Sequence, residues 1–292
     1  MKILVAYPGG KDSQATLIWA VNSYGAKTVR AVFCDTGHEH ELTYKHIRET
    51  CTQLGVELVI LKNTKYTDLF DLAVKKTRFP STKKRFCTEK LKAEPFIDLI
   101  LSLQTDVLIF QGIRADESES RSKMLPGCTY FRYYFQPYGV DKKGKKKFHT
   151  YRKKDVFAFC DKGYLHEIFR PVFDWTAQQV INYILENGQK PNPLYYQGFS
   201  RVGCFPCIMC RHGEIKNIME RYPERFELLK QKEKEIGSTF FPPNYIPRHA
   251  RQNPKIVTLD DVEKYIKGKN ETLDVFDEGP VDRCMSYYHI CE

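Results

Sequence analysis

The feature that most constrains this chain lies at its start. Lys2–Tyr7 (KILVAY) is a short apolar run that stops at Pro8-Gly9-Gly10. Lys11-Asp12-Ser13 then open a stretch in which Leu17, Ile18, Val21 and Tyr24 recur at helical spacing as far as Gly25. A buried strand, a glycine loop and a helix in that order point to a parallel α/β layer. They also make an anion site. Two glycines let backbone N–H groups turn inward with no Cβ in the way, and the helix N-terminus adds partial positive charge. Lys11 supplies a mobile cation and Ser13 a hydroxyl, so a diphosphate or sulfate is the natural guest. This is not a Walker A loop, because no glycine stands five residues before Gly10 and Asp12 follows the lysine. A plain strand-to-helix turn that needs glycines is the alternative.

The pattern continues for about a hundred residues. Thr28–Cys34 reads as a second strand, Glu39–Leu54 as a helix, Val56–Leu61 as a third strand, 66–77 and 88–103 as helical, and Asp106–Ile113 as a fourth strand. Short apolar strands alternating with helices predict a doubly wound, mostly parallel sheet covered on both faces. Residues 114–155 break the pattern and read as an insertion or hairpin at the sheet's rim, with sheet character returning around Ile168–Phe173. Thr176 and Gln179 form a capping box for a helix reaching Glu186. Further helices are predicted over Glu214–Lys234 and, from the Thr258–Asp261 cap, over 259–267. The division is 1–175 for a nucleotide-binding domain and 176–292 for a smaller helical, cysteine-rich C-terminal region.

Ten cysteines and a net charge of +10 qualify this outline. No apolar run approaches the roughly 20 residues of a membrane span, and the apolar start gives way too soon for a secretory signal. The expectation is a cytoplasmic protein, without a membrane partner, whose cysteines are ligands, nucleophiles or buried hydrophobes rather than disulfides. Cys204, Cys207 and Cys210 stand in C-x2-C-x2-C spacing, which lets three thiolates converge on one iron–sulfur centre with a fourth ligand from elsewhere. Cys284 is the first candidate for that fourth ligand, with Cys291, and then Cys87 and Cys128, behind it. Zn2+ held by the same cysteines, or with His212, is the alternative. Lys142–Lys154 holds eight Lys/Arg and no acid, interleaved with Phe148 and Tyr151. That composition suits a nucleic-acid backbone with base stacking, or equally a solvated hairpin tip.

Several landmarks together resemble one family. Gly9-Gly10-Lys11-Asp12-Ser13 looks like the PP-loop of the N-type ATP pyrophosphatases. Cys34-Asp35-Thr36-Gly37-His38-Glu39, Arg85-Phe86-Cys87-Thr88, Gly112-Ile113-Arg114 with Arg121, Asp174-Trp175, and Gly203-Cys204 with Cys207 are similar, in that order, to the phosphoadenosine phosphosulfate (PAPS) reductase family. The departure is Pro8, where the family carries serine. Proline removes one N–H and one hydroxyl from the loop.

The resemblance implies an adenine nucleotide alpha-hydrolase-like fold. It places Gly9, Gly10, Lys11, Asp12, Ser13, Asp35, Thr36, Gly112 and Arg114 around ATP, or PAPS, with Mg2+. Lys11, Asp12, Ser13, Arg114 and Arg121 become the catalytic candidates, the arginines suited by their guanidinium groups to an anionic nucleotide or sulfo group. Related sulfurtransferases carry [4Fe–4S] clusters, which favours iron over zinc at Cys204. Three readings stay open. ATP pyrophosphatase chemistry coupled to sulfur transfer comes first. Reduction of PAPS or adenosine phosphosulfate to sulfite comes second, with Cys291 as nucleophile and a thioredoxin-like reductant. The third is a catalytically weak protein that binds nucleotide or nucleic acid. The acceptor or sulfur donor of the first reading is not legible.

Overall fold

A computed structural model describes residues 1–269. The first part runs β1 (Lys2–Ala6), α1 (Lys11–Tyr24), β2 (Val29–Cys34), α2 (Glu41–Leu54), β3 (Glu57–Leu61), α3 (Leu69–Lys75), α4 (Glu94–Leu103) and β4 (Val107–Gln111). A π-helical turn, Thr88–Ala93, leads into α4. Next come α5 (Glu119–Ser122), β5 (Gly127–Thr129), α6 (Arg132–Phe135), β6 (Gly139–Val140), β7 (Lys146–Lys147), α7 (Lys153–Asp161) and β8 (His166–Phe169). The remainder is helical: α8 (Ala177–Glu186), α9 (Pro193–Tyr196), α10 (His212–Arg221), α11 (Pro223–Ile236) and α12 (Leu259–Lys269).

Six strands form one sheet in the order β3-β2-β1-β4-β8-β5, parallel except for β5, which runs antiparallel to β8. Alternate side chains of β1 face opposite layers, which explains its continuous apolar run. Ile3 and Val5 pack with Leu17, Ala20, Ile47 and Cys51 on one face, whereas Leu4 packs with Phe96, Ile97, Ile100 and Phe159 on the other. This is the doubly wound α/β arrangement. The chain steps outward from β1 through β2 to β3, then returns on the other side of β1 as β4. That reversal opens a crevice between the carboxyl ends of β1 and β4, where such sheets take ligands.

Two expectations are corrected. Residues 114–155 are not simply a rim insertion. β5 extends the sheet, and Tyr130, Phe131 and Tyr134 are buried in the core with Phe159, leaving the two-stranded β6–β7 ribbon to stand clear. The single helix expected over Glu214–Lys234 is two helices. Tyr222 (φ −137°, ψ 53°) ends α10, and Pro223 takes the first position of α11, where its missing N–H costs nothing. The α10 and α11 helices pack with Leu194, Phe199, Phe205, Phe240 and Phe241 in a second apolar cluster. Buried Glu233 pins that cluster by accepting the N–H groups of Phe240 and Leu259, both at 2.8 Å. Among the described residues no helix is long and apolar enough to cross a membrane.

Candidate functional site

The loop after β1 is held in shape from three sides. Gly9 has φ +91°, and a Cβ there would lie 2.9 Å from Thr43 and 3.0 Å from Ile47, so both backbone and space require glycine. Gly112, at the end of β4, meets the first turn of α1 more closely still: its Cβ would lie 2.3 Å from the backbone nitrogen of Ser13. Gly112 therefore shapes the crevice through its missing side chain. Ser13 turns its Oγ back to the Gly10 carbonyl at 2.9 Å.

The third support comes from a segment not singled out in the sequence. Asn192 is fully buried and uses both ends of its amide. Its Oδ1 caps α9 by accepting the Leu194 N–H at 3.0 Å, and its Nδ2 donates to the Gly9 carbonyl and to Thr43 Oγ1 at 3.2 and 3.3 Å. Tyr195 Oη accepts the Lys11 N–H at 3.0 Å, and the Lys11 ammonium stands 5.4 Å from the centre of its ring. The available signal was Asn192-Pro193, an Asx cap followed by proline at the first helical position. Its long-range partner had no local trace.

The charged candidates gather at the crevice but arrive paired. Buried Asp12 accepts Arg114 Nε at 2.5 Å and Lys11 Nζ at 3.2 Å. Arg114 also pairs with Asp116, its own N–H goes to Glu117 at 3.1 Å, and Arg121 pairs with Glu117. Both arginines are buried, at 4% and 5% exposure. The charge of each is met by carboxylates, Asp12 and Asp116 for Arg114 and Glu117 for Arg121.

Asp35 and Thr36 lie at the end of β2, in one network with the cysteine loop. Asp35 accepts Tyr44 Oη at 2.7 Å and the Gly37 N–H at 2.9 Å, and pairs with Lys62 at 2.9 Å. Burial would raise its pKa, but these bonds prevail and hold it below the ordinary carboxylate value. Buried Glu39 accepts Thr36 Oγ1 at 2.7 Å, and Cys204 Sγ lies 3.6 Å from Thr36 Oγ1 and 3.9 Å from Glu39 Oε1. An isolated β-bridge joins Glu39 to Cys204, the Phe205 N–H donates to the His38 carbonyl, and Arg225 clamps the Glu39 and Phe205 carbonyls. His38 is buried, held neutral with a pKa lowered to about 3, chiefly by burial and then by Arg225. It donates from Nε2 to the Pro206 carbonyl at 3.0 Å.

Behind this seam, Cys87, Cys204, Cys207 and Cys210 line one cavity together with Arg85 and Lys92. Cys87 thus faces the same cavity as the triplet, although it lies more than a hundred residues away in sequence. Burial pushes Cys204 up to about 12, with Lys92 opposing and Glu39 reinforcing, and burial also raises Cys210 well above its ordinary value. Left alone, these two are neutral thiols at pH 7. Cationic iron or zinc reverses that preference by favouring the thiolate. Among the described residues no three His, Cys, Asp or Glu side chains are grouped to hold a single ion. The alternative zinc ligand, His212, instead directs Nε2 to the Tyr245 carbonyl at 2.8 Å. Cys128 sits on β5 near Arg170, at 4.0 Å. Cys284 and Cys291 lie outside the described residues.

A family model described as the phosphoadenosine phosphosulfate reductase domain matches residues 2–210. The chain belongs to that family. Within and around it, this family member is 31% identical over 313 residues to an uncharacterized 37.8 kDa protein of Escherichia phage 186, covering 88% of this chain and 84% of that one. It is 32% identical over 228 residues to an uncharacterized protein of Methanocaldococcus jannaschii, covering 77% of this chain but only 40% of that longer relative. A second protein of that archaeon is likewise spanned over 56% of its length. An adenosine 5'-phosphosulfate reductase of Neisseria meningitidis is 45% identical over 51 residues, 18% of this chain and 21% of that one. Among solved structures, the PAPS reductase of Candida auris in a phosphate complex aligns over 71% of this chain and 83% of its own, at 18% identity and a TM-score of 0.46.

Proposed function

We propose that this family member binds an adenine nucleotide in the β1–β4 crevice, with its phosphates on Gly9–Ser13, and uses it for sulfur transfer. ATP would be split to AMP and pyrophosphate as an acceptor is adenylated, and a sulfur donor would then displace AMP. The observation that carries this reading is the seam in which Thr36 and Glu39 of the β2 end touch Cys204. It sets the end of β2 against the cysteine cavity, whose lining includes Thr36.

In this reading the chain's own groups divide the work. The N–H groups that open α1 and the Lys11 ammonium meet the phosphates. Arg114 and Arg121 fix Asp12 and Glu117, so they hold the loop's shape rather than lend free charge. Mg2+ bound to ATP would supply part of the counter-charge. Cys87, Cys204, Cys207 and Cys210 would hold an iron–sulfur cluster, the soft all-thiol set suiting iron. When bound, such a cluster supplies electron or sulfur relay beside the nucleotide.

A second reading is sulfonucleotide reduction, favoured by the short 45% match to adenosine 5'-phosphosulfate reductase. There a thiol, with Cys291 the candidate, attacks the sulfo sulfur, expels the nucleotide, and yields sulfite when a thioredoxin-like dithiol is oxidised. Protein purified without oxygen separates the two when given Mg–ATP, adenosine phosphosulfate and PAPS in turn. AMP and pyrophosphate from ATP support the first reading, and sulfite supports the second. Nucleotide binding without either product reduces the site to a binding module. Absence of calorimetric binding to all three nucleotides overturns the crevice assignment.

A further inference from the structure

Residues 132–154 hold nine Lys/Arg against one acid, so this one segment carries eight of the chain's ten net positive charges. The rest of the protein is close to charge balance. Charge needed only for solubility has no reason to be gathered in this way. Lys142, Lys143, Lys145, Lys146 and Lys147 are all exposed at and beside the β6–β7 ribbon. No carboxylate among the described residues pairs with any of them. The segment's one acid, Asp141, is committed to the turn, accepting the backbone N–H groups of Lys143 and Lys145 at 2.8 and 2.9 Å. Arg152 is different: it is neutralised by Asp98 and Asp155.

The ribbon is anchored rather than loose. His149 at its base is buried, stacks on Tyr138 at 4.9 Å and 23°, and donates its N–H to the Tyr133 carbonyl at 3.0 Å. Beside it is an aromatic step. Phe135 stacks on Phe157 at 4.9 Å and 21°, yet 54% of Phe135 remains exposed. The Lys153 ammonium stands 5.1 Å from the centre of the Phe157 ring. A flat ring with one face covered and the rest open, in the same segment as the exposed ribbon lysines and one ring away from Lys153, suits successive bases and phosphates of an unpaired strand. A duplex keeps its bases stacked inside and cannot use the ring. A lipid surface would call for a continuous apolar face, whereas the exposed large apolar side chains of this segment are Phe135 and Val140.

We propose that this face binds single-stranded nucleic acid, with phosphates on the ribbon lysines and a base on the open side of Phe135. The inference is independent of which nucleotide the Gly9–Ser13 loop takes. The test is fluorescence anisotropy on the full chain. One labelled mixed-sequence oligonucleotide is offered as single-stranded RNA, single-stranded DNA and duplex across a salt series, beside vesicles of phosphatidylserine and phosphatidylcholine.

Five to seven phosphate contacts predict a log–log salt slope of about −3.5 to −5 for a single strand. Lys142→Glu/Lys145→Glu/Lys146→Glu should weaken binding more than tenfold and flatten that slope by about 2. Phe135→Ala should weaken it about tenfold with the slope unchanged, and the conservative Phe135→Tyr should restore it. Circular dichroism of each variant checks folding, and all substituted positions are exposed. Preference for RNA or DNA identifies the source of the strand. Binding that is absent, that is equal for duplex and indifferent to Phe135→Ala, or that is stronger to anionic vesicles than to either oligonucleotide overturns the proposal.

Discussion

Gly112→Ala tests how the Gly9–Ser13 loop is held. The added Cβ would lie 2.3 Å from Ser13 N and 2.4 Å from both Asp12 C and Ser13 Cα. All three are backbone atoms of α1, so no side chain can swing aside. The end of β4 and the first turn of α1 must separate by about 1 Å to restore van der Waals contact. Overpacking of this kind costs about 1–3 kcal/mol. The same shift moves the N–H groups that the proposed nucleotide phosphates would meet, so ATP binding should weaken. Gly213→Ala is the matched control. Its Cβ would meet nothing within 4 Å, and it lies inside α10, so alanine should stabilise by up to about 1 kcal/mol. Urea unfolding followed by circular dichroism reads the first effect, and calorimetric titration with Mg–ATP reads the second. A Gly112→Ala protein that unfolds at the wild-type urea concentration and binds ATP with wild-type affinity would refute the close-approach argument.

Asn192→Leu keeps the branched shape but leaves the Gly9 carbonyl and the Leu194 N–H without the amide, so it should cost about 3 kcal/mol of stability in the same urea assay. A loss under about 1 kcal/mol would mean that water or a neighbour replaces it. His46 is buried, donates to Gln14 Oε1 at 3.2 Å, and has its pKa lowered to about 4 by burial. Because the unfolded imidazole takes a proton near pH 6.5 and the folded one does not, stability falls below that pH, by about 2 kcal/mol at pH 5. His46→Gln should remove that share of the pH dependence, and an unchanged slope would contradict it. Cys87→Ser should lower bound iron and visible absorbance as far as Cys207→Ser does, while Cys128→Ser leaves both at the wild-type level. Full iron in Cys87→Ser would point back to a ligand beyond residue 269.

The first four strands were legible because each is a short, mainly apolar run bounded by glycine or polar turns. Gly9 and Gly10 announced the loop because glycine carries its conformational meaning locally. β5 was not legible: Gly127-Cys128-Thr129 is too short to show a period, and its place in the sheet is set by pairing with β8. The cluster Tyr130, Phe131 and Tyr134 was assigned to the rim because aromatic residues among charges carry no periodic signature, although all three are buried. At the site, the motifs located Asp35, Arg114 and Cys204 but not their relations. That Arg114 meets Asp12, or that Cys204 meets Glu39 across 165 positions, is decided by tertiary packing. Asn192 and Tyr195 escaped for the same reason.

The pairing around Asp12 has a further consequence for what the crevice admits. Lys11, Arg114 and Arg121 are offset there by Asp12, Asp116 and Glu117, so these six groups sum to zero. An anion entering bare would leave its whole charge uncompensated within that set, in surroundings where the two arginines are already dry. A guest that carries its own cation leaves less, because Mg2+ cancels two of the four negative charges of ATP. If the loop takes the nucleotide as proposed, free ATP should therefore bind more weakly than its magnesium complex, which brings half the charge into the crevice.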